Sequence, residues 1–175
     1  LSEPDIKTKV LDFYQQLPFN VFSNAVDYAA RLQNNPIKQY PKLHKLLRKQ
    51  RNAVKANILD VGCGAGWFVN ASAFHYGLGA VGIDLNPLVL KQASAVSRAL
   101  GTNDKTVFVS SDVFKYEPER QFDLVNTVGV LHHTGNCTDA MIRCLAWVKP
   151  GGHFHIGLYN QAMREPLIEH FQHLK

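Results

Sequence analysis

The sequence predicts an α/β fold: a doubly wound, mainly parallel sheet of about five strands, with helices in front of it. Three observations lead there. From residue 57 onward, short apolar runs alternate with helix-length segments. The first apolar run, Ile58-Leu59-Asp60-Val61, passes into glycines at alternate positions, Gly62, Gly64 and Gly66. The runs are apolar throughout, as strands of a parallel sheet covered on both faces must be.

Taken in order, residues 1–55 read as a helical segment, a lid or substrate cap, and residues 56–175 as the sheet domain. Helices are expected at 10–17 and 22–32, separated by Leu17-Pro18-Phe19-Asn20. Pro36 and Pro41 break the chain before a basic helix over 42–54. The strand at 57–61 leads through the glycines into a helix over 66–76, which Gly77 and Gly79 end. A second strand spans 80–83, and Pro87 suits the first turn of a helix over 88–100, stopped by Gly101. Strands follow at 106–109 and 122–127, then a helix over 137–148 closed by Lys149-Pro150-Gly151-Gly152. A fifth strand at 153–158 and a helix over 164–174 complete the expectation.

Composition narrows the class. With 175 residues, 46% hydrophobic and 19% charged, the chain is one domain with a real core rather than a disordered tract. No apolar run approaches the roughly 20 residues of a membrane helix, and the opening Leu1-Ser2-Glu3-Pro4-Asp5 is not a signal peptide. Cys63, Cys137 and Cys144 lack metal-site spacing and read as reduced thiols of a cytoplasmic protein. Seven basic residues and no acid lie between Lys38 and Lys55, whereas twelve basic and fourteen acidic residues make up the rest. That segment suits RNA or another polyanion, or is a solvated helix face.

Glycine spacing bears on the ligand. A dinucleotide fingerprint needs glycine at the first, third and sixth positions, the last for close helix–strand contact. Here the sixth position is Trp67, which argues against a nicotinamide oxidoreductase. Asp84 ends the second strand, 18 residues beyond Gly66, where a carboxylate can accept from both hydroxyls of a ribose. The competing role is a helix N-cap, for which Asn86 is better placed. Asp112 follows the third strand, where it can accept from an exocyclic amine while the Val113 amide faces a ring nitrogen; an ordinary turn aspartate is the alternative.

Asp60-Val61-Gly62-Cys63-Gly64-Ala65-Gly66, Gly82-Ile83-Asp84, Ser111-Asp112-Val113, Phe122-Asp123-Leu124-Val125, Val130-Leu131-His132-His133 and Val148-Lys149-Pro150-Gly151-Gly152 together resemble the class I S-adenosylmethionine-dependent methyltransferases. The likeness covers residues 57 to about 160. It implies a Rossmann-like fold, S-adenosyl-L-methionine as cofactor and S-adenosyl-L-homocysteine as product. It further implies cofactor contacts from Asp60, Gly62, Gly64, Gly66, Asp84, Leu85, Asp112, Val113, Val128 and His132. The family sheet usually ends in a hairpin of two further strands, which nothing after Leu158 supplies. A truncated chain, or a second copy or partner chain covering the sheet edge, is therefore expected.

Methyl transfer from a sulfonium needs mainly alignment, so a base is required only for a protonated acceptor. His132 and His133 are the candidates. His153 and His155 share a strand face, but no third ligand accompanies them and no metal site is expected. Phe13, Tyr14, Phe19, Phe22 and Tyr28 would furnish a lid or pack on the sheet. The acceptor class favoured is a small molecule, then RNA. The competing reading is a non-catalytic module that binds S-adenosylmethionine or is completed by a partner.

Overall fold

A computed structural model describes residues 24–51 and 57–159. The helices expected at 10–17 and 164–174, the aromatics Phe13, Tyr14, Phe19 and Phe22, Asn20 and Lys55 lie outside those residues.

Helix α1 (Ala25–Leu32) starts at Asn24, whose side chain accepts from the Asp27 amide, and a 3-10 turn (Pro36–Gln39) links it to α2 (Pro41–Gln50). Then follow β1 (Asn57–Val61), α3 (Trp67–Tyr76), β2 (Gly79–Asp84), α4 (Pro87–Ala99), β3 (Thr106–Ser110), β4 (Phe122–Val128), α5 (Cys137–Ala146) and β5 (Val148–Gly157). Pro87 occupies the first turn of α4 and Asn86 caps it, as the sequence implies.

Among the described residues the four strand pairings are all parallel, in the order β3-β2-β1-β4-β5. Alternation along the strands divides the core. Ile58, Ala80 and Leu124 pack under α2 and α3 through Leu43, Leu47, Phe68 and Val69. Leu59, Val61, Ile83 and Val125 face the other way, onto Ala140, Cys144 and Trp147 of α5 and the residue that follows it. Helix α1 packs against α4 and Ala65 through Tyr28, Ala29, Leu32 and Val96. Fully burying each such aliphatic side chain contributes about 1.5–3 kcal/mol, which is why apolar runs select this arrangement.

The fifth strand differs from expectation at its start. Lys149-Pro150-Gly151-Gly152 reads as a turn that precedes the strand, yet β5 already pairs at Val148 with Phe122 and pairs again at His153 with Leu124. Between those pairs β5 has four residues where β4 has one, so the proline and glycines bulge out of the ladder. At Gly152 a Cβ would lie 2.9 Å from the Lys149 carbonyl oxygen and 3.1 Å from that of Asp123, so only glycine fits the bulge. The bulge also returns Lys149 towards the sheet. Its Nζ donates to Asp123 Oδ2 at 2.9 Å, and the Asn57 amide donates to the same oxygen at 2.8 Å. Asp123 thereby ties the beginnings of β1, β4 and β5 together.

Burial pushes the Asp123 carboxyl up, but the Asn57 amide and the Lys149 ammonium outweigh it and hold the group below its ordinary value of 3.8. A lowered folded pKa stabilises above the unfolded value, and that contribution is lost as pH falls through the folded one. Asp123→Ala is expected to cost about 1–3 kcal/mol near neutral pH. In urea melts the deficit should shrink as pH drops below 3.8; an equal deficit at pH 2.5 and 7 would contradict this role.

Candidate functional site

Because every strand is parallel, the loops after β1, β2, β3 and β4 all emerge at one rim of the sheet. Ligands of open α/β sheets bind outside this carboxyl edge. The rim carries Gly62, Gly64, Gly66, Asp84, Leu85, Asp112, Val113, Val128 and His132, so the fold gathers residues that span seventy positions of sequence.

The glycine loop is folded over the end of β2. The Ile83 carbonyl accepts from both the Gly62 and Cys63 amides at 2.8 and 3.0 Å, and Asp84 Oδ2 accepts from the Gly64 amide at 2.8 Å. Asp84 Oδ1 accepts from the Asn86 amide at 2.9 Å. Asn86 itself caps α4 through the Leu88 amide at 3.0 Å, so Asp84 is not the cap. Burial raises the Asp84 carboxyl above its ordinary value, opposed by the amides of Asn86, Gly64 and Leu85.

Two glycines of the loop do different things. Gly66, at φ +79°, opens α3, and a Cβ there would lie 2.8 Å from Ala93 Cβ and 3.0 Å from the Phe108 ring. Close packing of loop against helix and strand thus occurs at Gly66, one position before Trp67, so a loop without a sixth-position glycine is still tightly packed. Gly64, at φ +52°, has no atom within 4 Å of a Cβ position and faces open space. Cys63 is buried, and burial lifts its thiol well above the ordinary value, which disfavours the thiolate.

Asp112 turns the chain after β3: its Oδ1 accepts from the Phe114 amide at 3.1 Å, and its carbonyl accepts from the amides of Lys115 and Tyr116. The Val113 carbonyl accepts from Arg143 Nε at 3.0 Å, which fixes this turn to α5. Beyond β4, Val128 is followed by Gly129 and a 3-10 turn, Leu131–His133. There the His132 ring lies between His133 and Tyr159, at centroid distances of 4.1 and 4.0 Å. Among the described residues no group of three or more His, Cys, Asp and Glu is placed to hold a metal.

A polar row crosses the same sheet beneath the helices. Asp60 of β1 pairs in register with Asn126 of β4, and Asn126 with His155 of β5. Asn126 Nδ2 donates to Asp60 Oδ1 at 2.6 Å, and His155 Nδ1 lies 2.6 Å from Asn126 Oδ1. A carboxamide oxygen only accepts, so His155 carries its proton on Nδ1; burial lowers its pKa and favours the neutral ring. Tyr40 covers His155 edge-on at 5.7 Å and lies tilted against Trp67 at 6.0 Å. Asp60 Oδ2 is buried without a hydrogen-bond partner among the described residues. Burial, opposed by Asn126 and assisted by the Asp84 charge, pushes Asp60 up to about 7. Burial and the Asp60 charge likewise raise the Tyr28 phenol to about 12. Asn126 is absent from the sequence reading and His155 enters it only as a strand-face companion of His153; an asparagine inside the apolar run Leu124-Val125-Asn126 is the signal that marks the row.

Residues 59–154, more than half of the chain, match the family described as "Methyltransferase domain". The tRNA U34 carboxymethyltransferase of Shewanella baltica is 33% identical over 95 residues, covering 54% of this chain and 29% of the relative. The ubiquinone biosynthesis O-methyltransferase of Vibrio parahaemolyticus is 28% identical over 138 residues, covering 78% and 56%. A crystal structure of an S-adenosylmethionine-dependent methyltransferase from Thiobacillus denitrificans, in complex with S-adenosyl-L-homocysteine, superposes with a TM-score of 0.55 at 26% identity, covering 63% of this chain and 46% of that one. The chain spans between about a third and about half of the length of these relatives.

Two stability outcomes follow from the geometry. Gly66→Ala meets Ala93 and Phe108 besides its φ strain, whereas Gly64→Ala carries only the strain of about 1–2 kcal/mol. Gly66→Ala should therefore lower Tm more, and the reverse order would contradict the packing. Asp60 has a folded pKa of about 7 against an ordinary 3.8, so the unfolded chain binds fewer protons between those values and stability falls as pH rises across them. Asp60→Asn should raise Tm at pH 8 and change it little at pH 4; no pH dependence would contradict the buried, uncompensated carboxylate. With the rim and its family match together, the chain belongs to the methyltransferase-domain family, with the class I S-adenosylmethionine-dependent methyltransferase fold.

Proposed function

We propose that this domain binds S-adenosyl-L-methionine at the strand rim and transfers its methyl group to an acceptor, a small molecule in first place and RNA in second. One observation carries the reading: a glycine loop whose Gly64 faces open space is fastened by its amide to Asp84, the acid at the end of the next strand. The Asp84 carboxylate takes the amides of Gly64 and Asn86, with that of Leu85 also turned to it, and of its roughly four lone-pair sites at least one stays open for a ribose hydroxyl. Gly62, Gly64 and Gly66 would lie along the methionine and ribose part, with Leu85 beside the ribose. Asp112 and Val113 would take the adenine edge, and Val128 and His132 the methionine end.

The donor set suits a cationic ligand. Asp60 Oδ2 is a buried acceptor without a described partner, and an ammonium would satisfy it and restore the carboxylate. S-adenosylmethionine supplies a methyl carbon on a sulfonium, whose departure needs no further activation. What remains for the chain is alignment of the acceptor in a closed site. For an acceptor that loses a proton, His132 and His133 would take it, held by stacking on each other and on Tyr159. Tyr28, packed with Ala65 of the glycine loop, and Tyr40, set against Trp67, would help to cap the rim.

Calorimetry with S-adenosyl-L-homocysteine tests the reading. Saturable binding is expected, weakened at least tenfold by Asp84→Ala (about 1.4 kcal/mol or more). Binding equal in wild type and variant would contradict the site, and binding without turnover across an acceptor panel would favour a non-catalytic module.

A further inference from the structure

A cleft of about 640 Å³ opens at the opposite end of the sheet, lined by Lys38, His44, Arg48, Arg51, His75 and Tyr76. Its position follows from the chain path. His75 and Tyr76 end α3, and only Gly77 and Leu78 separate them from Gly79, the first residue of β2, so they sit at the amino-terminal edge of the strands. The length of β1, roughly 15 Å, separates this edge from the glycine rim.

The basic segment does not form one uniform face. His44, Arg48 and Arg51 recur at helical spacing and form one stripe of α2 and its end, while Leu43 and Leu47 form the buried stripe. Lys42, Lys45 and Lys49 do not line the cleft. Lys38 enters from the 3-10 turn. Three permanent cations from two elements thus converge on one concavity, and among the described residues its lining includes no carboxylate. Among the described residues the ion pairs lie elsewhere, at Lys105–Asp104, Arg143–Glu117 and Lys149–Asp123.

The floor is fixed in place. The buried Tyr76 hydroxyl lies 2.6 Å from His44 Nδ1 and accepts from Asn35 Nδ2 at 3.1 Å. His75 Nε2 donates to the Leu32 carbonyl at 2.7 Å, which sets the ring's orientation. Asn35 adopts φ +48°, the one non-glycine residue with positive φ among the described residues, to make these contacts. Guanidinium groups over a rigid hydrogen-bonding floor match phosphate oxygens, which accept two N–H bonds from one Arg. The volume accommodates a nucleotide-sized ligand.

We propose that this cleft is a phosphate-binding site, taking the phosphate groups of a nucleotide or of an RNA backbone. The ligand is anchored there away from the methyl-transfer rim. The inference rests on the cleft alone, so loss of cofactor binding would leave it standing.

Fluorescence anisotropy with a labelled 12-nucleotide oligouridylate, and calorimetry with pyrophosphate and ADP, test it. For RNA held by three cations, log K should fall with log salt at a slope of about −2. Arg48→Gln and Arg51→Gln should each weaken binding five- to tenfold at 50 mM salt and lessen the slope by about 0.7. Arg48→Lys should keep most of the slope, and Lys45→Gln and Lys49→Gln should change nothing. S-adenosylhomocysteine binding and Tm should stay at wild-type values throughout. Arg48-dependent binding of pyrophosphate or ADP without RNA binding would support the site with a small ligand as its source. No binding of any probe, or equal losses in the Lys45 and Arg48 variants, would overturn it.

Discussion

The hydrogen bond from the Gly64 amide to Asp84 is the contact on which the rim depends. It pulls the loop after β1 sideways over the end of β2, and the doubled acceptance by the Ile83 carbonyl holds it there. Asp84 must be desolvated to make this bond, and its raised pKa records that cost. The amides of Gly64, Leu85 and Asn86 offset part of it. A loop with a Cβ at Gly66 could not approach α4 and β3 as closely, so glycine and carboxylate are two halves of one device.

Below the rim, the sheet interior is unusually polar for a parallel core. Asp60, Asn126 and His155 occupy adjacent register positions where three aliphatic side chains would pack without desolvation cost. Two of the three satisfy each other, but Asp60 keeps one oxygen unpartnered among the described residues, and its proton is retained to about pH 7. A buried acceptor left in this state next to the glycine loop costs stability, and on the proposed reading the ammonium of the cofactor would recover that cost on binding.

Much of the fold was legible because hydrophobic period and glycine punctuation agree. The strands at 57–61 and 122–127, the Pro87 start of α4 and the end of α3 at Gly77 all lie within a residue or two of expectation. The bulge at Lys149–Gly152 was not legible, since what keeps those residues in the strand is tertiary: the Lys149–Asp123 contact and the renewed pairing at His153. Asp84 was recognisable from its place at a strand end, whereas its bond to Gly64 requires knowing how the loop folds back. The Asp60–Asn126–His155 row depends on register between strands 66 and 29 positions apart, which no local pattern encodes. The basic run was visible as composition only; its division into a cleft-facing stripe and solvated lysines needed the helix to be placed.

The proposed site at the rim is tested most directly by amide chemical shifts of the ¹⁵N-labelled domain titrated with S-adenosyl-L-homocysteine. The account predicts saturable shifts at Gly62, Gly64, Gly66, Leu85 and Val113, with Gly79 and Tyr76 at the opposite edge unmoved. Saturation that leaves the Gly64 and Leu85 resonances in place, or that moves only the opposite edge, would contradict it.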